Sequence, residues 1–124
     1  MPSNPVPAPV PVLVVEDDEL VRMVAVGMLA EAGFVVLEAE TADAAWAILE
    51  RTAEVGALFT DIDMPGSMDG LALADRVARR WPGIRLVVTS GRFGLGDADM
   101  PNDGRFLRKP YRRDQLLEAV TAAA

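Results

Sequence analysis

Short apolar runs at regular intervals constrain the fold of this chain more than any other sequence feature. The first, Val12-Leu13-Val14-Val15, is continuous and rich in β-branched residues. That composition is typical of a strand buried on both faces of a parallel sheet. Similar runs follow along the chain, so the predicted strands cover residues 12–15, 34–37, 55–60, 84–89 and 105–108.

Helical patterns separate most of these runs. Asp18, Thr41 and Asp69 stand where three helices would begin and are suited to cap them. Gly33 is placed to end the first helix, and Trp81-Pro82-Gly83 to end the third. The apolar residues that recur at helical spacing, and are expected to face the core, are Val21, Val24, Ala25, Met28, Leu29, Ala32, Ala45, Ile48, Leu49, Leu73, Ala74, Val77, Ala78, Trp81, Leu116, Leu117 and Val120.

Strands that alternate with helices in this way predict one α/β domain, with a parallel sheet covered by helices on both faces. The domain is expected to span residues 11–124, because the alternating prolines before it favour an extended leader over residues 1–10. Residues 91–104 contain four glycines and a proline. Any helix there is therefore expected to be short or poorly formed.

Composition excludes several functions. The 124 residues include no histidine and no cysteine, which removes Ser-His-Asp and Cys-His catalysis and zinc sites that use these ligands. A net charge of -7 argues against binding to nucleic acid, whose phosphates require a basic surface. With no secretory signal and no apolar stretch long enough for membrane insertion, we expect a cytoplasmic protein.

Polar side chains stand where the predicted strands end. Glu16 and Asp17 follow the first strand, Asp61 the third, Thr89 closes the fourth and Lys109 follows the fifth. Because parallel strands bring their carboxyl ends to one edge, these groups are expected to converge there. Like charges about 4 Å apart cost on the order of 4 kcal/mol at an effective dielectric near 20, so a cation is expected among the carboxylates. All-oxygen ligands favour Mg²⁺, and the set suits a phosphoryl group with Asp61 as nucleophile.

Each of these residues has an ordinary interpretation when taken singly. An aspartate after a strand is usually a turn residue or a helix cap. The sequence Glu16-Asp17-Asp18-Glu19 is more often a capped helix start than a metal site. Thr89 alone is a strand residue and Lys109 alone a surface charge. Their joint placement at strand ends favours function.

The same residues resemble a known family, the receiver domain of two-component response regulators, over residues 11–122. The resemblance rests on four stretches: Val12-Leu13-Val14-Val15-Glu16-Asp17-Asp18, Asp61-Ile62-Asp63-Met64-Pro65-Gly66-Ser67-Met68-Asp69-Gly70, Val88-Thr89-Ser90 and Lys109-Pro110-Tyr111. It implies a flavodoxin-like, doubly wound five-stranded sheet in the order 2-1-3-4-5. It also implies a phosphoprotein of signal transduction that is not an enzyme, beyond assisting its own phosphoryl transfer and slow dephosphorylation.

By position, Asp61 resembles the aspartate that receives a phosphoryl group from the phosphohistidine of a histidine kinase or histidine phosphotransfer protein. Glu16, Asp17 and Asp61 resemble the carboxylate ligands of Mg²⁺, and the main-chain carbonyl of Asp63 a further ligand. Lys109 resembles the charge partner of the phosphoryl group. The lack of histidine in this chain fits a recipient of this kind.

The resemblance also implies a switch. Thr89 corresponds to the hydroxyl that turns toward the phosphoryl group, and Phe106 to the rotating aromatic residue. Family members usually signal to a downstream protein through the face that includes the fourth helix, so residues 91–104 are expected to be mobile and to order on phosphorylation or binding. The turn at residues 65–69 looks one residue longer than the common pattern.

Two other functions are compatible with the sequence. Asp61-Ile62-Asp63 matches the nucleophile and acid of haloacid-dehalogenase-type phosphatases, although that pair normally follows the first strand rather than the third. A receiver-like module that acts without phosphorylation is the second. The sequence ends at Ala124, just after the last predicted helix, so we expect no output domain and either a stand-alone receiver or a piece of a hybrid kinase.

Overall fold

A computed structural model describes residues 10–52, 54–66, 68–92 and 94–121. The leader predicted at residues 1–10 lies outside this part except for Val10. The predicted longer turn also includes a residue outside it, Ser67.

In this part of the chain five parallel strands form one sheet in the order β2-β1-β3-β4-β5, which confirms the predicted order. The strands are β1 (Val12–Val15), β2 (Val36–Ala39), β3 (Ala57–Asp61), β4 (Arg85–Ser90) and β5 (Arg105–Arg108). The predictions for β1 and β5 are confirmed to the residue. The prediction for β2 was two residues too early, because Val36 is the residue that pairs with Val12 of β1, while Val35 is exposed.

Within the described residues, four helices flank the sheet: α1 (Glu19–Glu31), α2 (Ala42–Arg51), α3 (Gly70–Arg80) and α4 (Arg113–Thr121). The three predicted caps are confirmed. The side chains of Asp18, Thr41 and Asp69 accept hydrogen bonds from main-chain amides three residues later, at 3.0, 3.0 and 2.8 Å. Each bond satisfies an amide that the helix itself leaves unpaired.

Helices cover both faces of the sheet, as predicted. Leu13, Leu58 and Val88 face the side covered by α2 and α3. Val14 and Phe59 face the side covered by α1 and α4. The sheet is therefore buried on both faces by side chains that alternate along each strand.

The inner face of α1 was partly mispredicted. Val24 is 57% exposed and Ala32 is also exposed, whereas Arg22 is buried beside Ala25 and Leu29. The reason is the spacing of residues 22, 25 and 29, which places an arginine on the buried stripe.

No regular helix forms between β4 and β5 among the described residues, as predicted. Two three-residue 3-10 turns occur instead, Asp97–Asp99 and Pro101–Asp103, with Asn102 and Asp103 at positive φ. Within the part of the chain that the structure describes, none of the helices is both long and apolar enough to cross a bilayer.

Candidate functional site

Asp61 lies at the carboxyl end of the central strand β3, as predicted. It is 5% exposed, and its partner across the sheet is Thr89 on β4. The Thr60 hydroxyl donates a 3.0 Å hydrogen bond to the Asp61 carbonyl. A methyl group on Gly70, the first residue of α3, would lie 1.7 Å from that carbonyl oxygen. Only glycine therefore allows α3 to begin so close to the end of β3.

Three predicted carboxylates meet beside this strand end. One oxygen each from Glu16, Asp17 and Asp61 lies within 4.8 Å of the others. Glu16 and Asp61 are buried and Asp17 is exposed, so a cation can reach the group from the open side. The triad of Glu16, Asp17 and Asp61 can hold a metal ion, and its hard oxygen ligands suit Mg²⁺.

Lys109 is the only lysine of the chain, and it lies at the centre of the site. Its Nζ lies 3.0 Å from Glu16 Oε1 and 3.3 Å from Asp61 Oδ2. The Lys109 amide also donates to the Ser90 carbonyl at 2.9 Å, which fixes the end of β5 beside β4. The ammonium thus neutralises part of the charge that the triad concentrates.

Burial and pairing with an opposite charge shift the pKa values of Glu16 and Lys109 in opposite directions. Burial raises the pKa of Glu16, and the nearby Asp61 charge adds to this, while the hydrogen bond from Lys109 opposes it. Burial by itself lowers the pKa of Lys109, but the Glu16 and Asp61 carboxylates outweigh it and the pKa is raised. The ammonium form of Lys109 is therefore stabilised by the two carboxylates.

Arg22 binds the main chain of Glu16, a contact that was not predicted from the sequence. Its guanidinium donates to the Glu16 carbonyl at 2.8 Å and to Glu38 at 3.1 Å, with Glu40 at 3.7 Å. The Glu16 amide is held in turn by the Ala39 carbonyl at 3.1 Å. The helical spacing of Arg22 with Ala25 and Leu29 was the signal that could have revealed this contact.

The two residues predicted to form the switch lie on neighbouring strands. Thr89 is buried beside Asp61, and its hydroxyl donates to the Leu107 carbonyl of β5 at 2.7 Å. Phe106 is half-buried against the core on the α2 and α3 side, and it pairs with Val88. The hydroxyl of Thr89 therefore bonds to β5 in this structure.

Asp63 lies outside the triad. Its amide donates to Asp61 Oδ1 at 3.3 Å, but its carboxylate accepts from Ser90 Oγ at 3.0 Å and pairs with Arg92 at 2.6 Å. Ser90 and Arg92 were not predicted from the sequence. The contact joins residues 29 positions apart, and no local pattern reports such a pairing.

Comparisons with known proteins agree on one family. A model of the response regulator receiver domain matches residues 12–121. The chain is 35% identical over 113 residues to the sensor kinase CckA of Brucella abortus (strain 2308), covering 88% of this chain and 12% of CckA. It is 30% identical over 112 residues to the response regulator receiver protein CpdR of the same strain, covering 88% of this chain and 92% of CpdR.

Solved structures give the same result. The crystal structure of a response regulator receiver protein from Sinorhizobium medicae WSM419 matches with a TM-score of 0.82 at 28% identity. The match covers 91% of this chain and 92% of that one.

Proposed function

Because the chain belongs to the response regulator receiver domain family of two-component systems, we propose that Asp61 is its phosphoacceptor. The observation that carries the proposal is the joint position of Asp61, its two acidic neighbours and Lys109. A buried carboxylate faces an ammonium 3.3 Å away, beside two further oxygen ligands. This arrangement suits an incoming phosphoryl group, whose charge must be neutralised where it arrives.

The donor we propose is a phosphohistidine of a histidine kinase or a histidine phosphotransfer protein. An Asp61 carboxylate oxygen forms the new bond to phosphorus as the bond to the donor imidazole nitrogen breaks. Lys109 Nζ is positioned to pair with a phosphoryl oxygen, and the Asp63 amide holds Asp61 Oδ1 in place. The similarity to part of a sensor kinase and the absence of histidine from these 124 residues support a phosphohistidine donor that lies outside this sequence.

Glu16, Asp17 and Asp61 are the side chains that we propose to hold Mg²⁺, with the Asp63 carbonyl as a further ligand. A bound Mg²⁺ supplies positive charge that neutralises phosphoryl oxygens and reduces the repulsion among the carboxylates. The donor set fits this ion, because it consists of hard oxygen ligands that lie close together and are open to solvent at Asp17.

We further propose that Thr89 and Phe106 report the phosphorylated state to a downstream protein. The Thr89 hydroxyl would donate to a phosphoryl oxygen instead of to the Leu107 carbonyl, and its hydrogen bond to β5 would break. Phe106 on β5 is half-buried, so a change in its packing would alter an accessible surface.

The geometry favours an acceptor over a haloacid-dehalogenase-type phosphatase. That chemistry needs the second aspartate as a proton donor next to the nucleophile. In this chain the Asp63 carboxylate is occupied by Ser90 and Arg92. We accordingly propose a signalling domain that turns over its own phosphoryl group slowly, and not an enzyme acting on free phosphate esters.

The proposal is tested by incubating the chain with Mg²⁺ and a small phosphodonor, followed by intact-mass spectrometry. We expect one phosphoryl group per chain, formed with Mg²⁺ and not after its removal by a chelator. Asp61→Asn should abolish it. Asp75→Asn is the matched control, because the Asp75 side chain on α3 is half-exposed and pairs with Arg79. Unchanged labelling of Asp61→Asn, or labelling without Mg²⁺, contradicts the proposal.

A further inference from the structure

Ser90, Asp63 and Arg92 form a closed set of hydrogen bonds at the edge of the site, here called the Ser90–Asp63–Arg92 ring. Ser90 Oγ donates to Asp63 Oδ2 at 3.0 Å and accepts from the Arg92 amide at 3.1 Å. The Arg92 guanidinium in turn donates a hydrogen bond to Asp63 Oδ1 at 2.6 Å. The ring thus joins the residues that follow β3 to those that follow β4.

The simplest interpretation of this contact is a surface ion pair of little energetic consequence. Two observations distinguish it from such a pair. Ser90 is completely buried, so its hydroxyl holds one Asp63 oxygen from inside the protein. The amide of Asp63 bonds directly to Asp61 Oδ1, so the ring is attached to the proposed phosphoacceptor. A network of this kind fixes geometry better than an isolated pair does.

The ring engages both carboxylate oxygens of Asp63, next to the triad. Asp63 lies two residues after Asp61, yet both of its carboxylate oxygens are taken by the ring and its carboxylate is not among the three that meet. The positive charge of Arg92 also compensates the Asp63 charge locally. Without Arg92, a fourth uncompensated carboxylate would lie next to the triad.

We propose that Arg92 is a positioning residue, which with Ser90 holds the Asp63 carboxylate out of the triad and neutralises it. The inference deepens the proposed function and rests on it, because it concerns the charge balance of the same site. A freed Asp63 carboxylate attracts a divalent cation and repels an anionic phosphodonor. Loss of Arg92 therefore has opposite effects on the two ligands.

The test uses a double-mutant cycle on the full chain, with Arg92→Ala, Asp63→Asn and the combination of both. Mg²⁺ affinity is measured by calorimetry without donor. Time courses of a single phosphorylation with phosphoramidate give the apparent donor KM and the limiting rate constant. Arg92→Ala should tighten Mg²⁺ binding about three- to tenfold and raise the apparent donor KM by a similar factor, with little change in the limiting rate constant. Arg92→Lys should restore most of both values, because lysine keeps the charge.

The Asp63→Asn variant distinguishes an effect of Arg92 that acts through Asp63 from a general effect of the lost charge. In Asp63→Asn the released charge is absent, so adding Arg92→Ala should change neither quantity by more than about 1.5-fold. Arg79→Ala is the matched control, since it removes an equal charge from a 2.9 Å pair with Asp75 in the second half of α3. The effects of Arg92→Ala should also shrink in high salt.

Equal effects of Arg92→Ala in both backgrounds overturn the inference, because they indicate a long-range charge effect that does not involve Asp63. No change in Mg²⁺ affinity or donor KM overturns it as well. In either case, normal Mg²⁺ binding and labelling of the unmodified chain leave the proposed function standing. If the unmodified chain neither binds Mg²⁺ nor is labelled, both proposals are overturned.

Discussion

The two sides of the strand-end edge are built differently, although both deliver groups to one site. On one side, Glu16 and Asp17 directly follow β1 and Asp61 ends β3, so regular strands place every carboxylate. On the other side, the chain leaves β4 through glycine-rich irregular structure before it reaches β5 and Lys109. Lys109 still meets the triad, because pairing of β5 with β4 fixes its position. The position of Lys109 beside the triad therefore follows from strand register and does not require a regular helix between β4 and β5.

On the side formed by β1 and β3, substitution of Gly70 should cause the greatest loss of stability. Gly70→Ala places a methyl group 1.7 Å from the Asp61 carbonyl oxygen. A main-chain atom cannot move aside cheaply, so we expect the free energy of unfolding to fall by about 3 kcal/mol. Chemical denaturation measures this change.

The matched change on the irregular side is Gly96→Ala. No atom lies within 4 Å of the added methyl group, and Gly96 has an extended backbone with φ of -152°. We expect a change within about 0.5 kcal/mol. Similar losses at the two glycines would contradict the distinction between the two sides.

A smaller loss of stability is expected from Lys109→Met, which removes the ion pairs that join the end of β5 to Glu16 and Asp61. Glu16 and Asp61 would lose a partner while remaining buried, so stability without metal should fall by about 1–3 kcal/mol at neutral pH. Saturating Mg²⁺ should restore part of it by replacing the lost positive charge. Arg113→Met, in an exposed 3.7 Å pair with Glu31, is the control and should cost less than about 0.5 kcal/mol. Equal losses in the two variants would show that burial of the pair is unimportant.

The pH dependence of the Lys109 contribution follows from the direction of its pKa shift. Its pKa is raised above 10.5 in the folded chain. A raised pKa of this kind means that the stabilisation is complete below pH 10.5 and is lost as the pH rises through the folded value. The difference in stability between Lys109→Met and the unmodified chain should therefore disappear in strong alkali. A difference that stays constant over this range would contradict the assignment.

Amide hydrogen exchange distinguishes the sheet from the connection after β4 without any mutation. Residues 94–104 should exchange faster than β3 and β4, because two three-residue turns hold fewer protected amides than the sheet. We expect a phosphoryl mimic such as beryllofluoride with Mg²⁺ to slow exchange in this segment. Unchanged protection with the mimic would count against ordering of the segment on phosphorylation.

A last prediction, with a smaller effect than the others, concerns the pKa of Tyr111, the single tyrosine of the chain. Burial raises its pKa above 10.0, the Lys109 charge lowers it, and the Glu16 and Asp61 charges raise it further. The folded state therefore gains stability below pH 10.0 that is lost as the pH rises through the folded value. Ultraviolet titration of tyrosinate should give a midpoint above that of the denatured chain, and Lys109→Met should move it higher. Coincident folded and denatured midpoints would contradict this environment.

Much of the fold and the centre of the site could be predicted because they depend on local patterns. Apolar runs identify strands, and parallel strands bring their last residues to one edge. Glu16, Asp17, Asp61 and Lys109 could be placed at one site in this way, because each ends or follows a predicted strand.

The rest depends on contacts that no local pattern contains. Ser90 and Arg92 hold Asp63 across the gap between two strands, and Gly70 is needed only because α3 begins against the end of β3. Val35 belongs to an apolar run, yet it is exposed because pairing with β1 begins at Val36. Register and close approach are properties of the assembled sheet, and a single sequence does not report them.

The central claim is that Asp61 receives the phosphoryl group, and chemical trapping tests it most directly. Borohydride reduces an aspartyl phosphate to homoserine, which marks the modified position permanently. After reaction with Mg²⁺ and a phosphodonor, peptide sequencing by mass spectrometry should find homoserine at position 61 and aspartate at positions 17 and 63. Homoserine at another position, with aspartate retained at 61, would contradict the account.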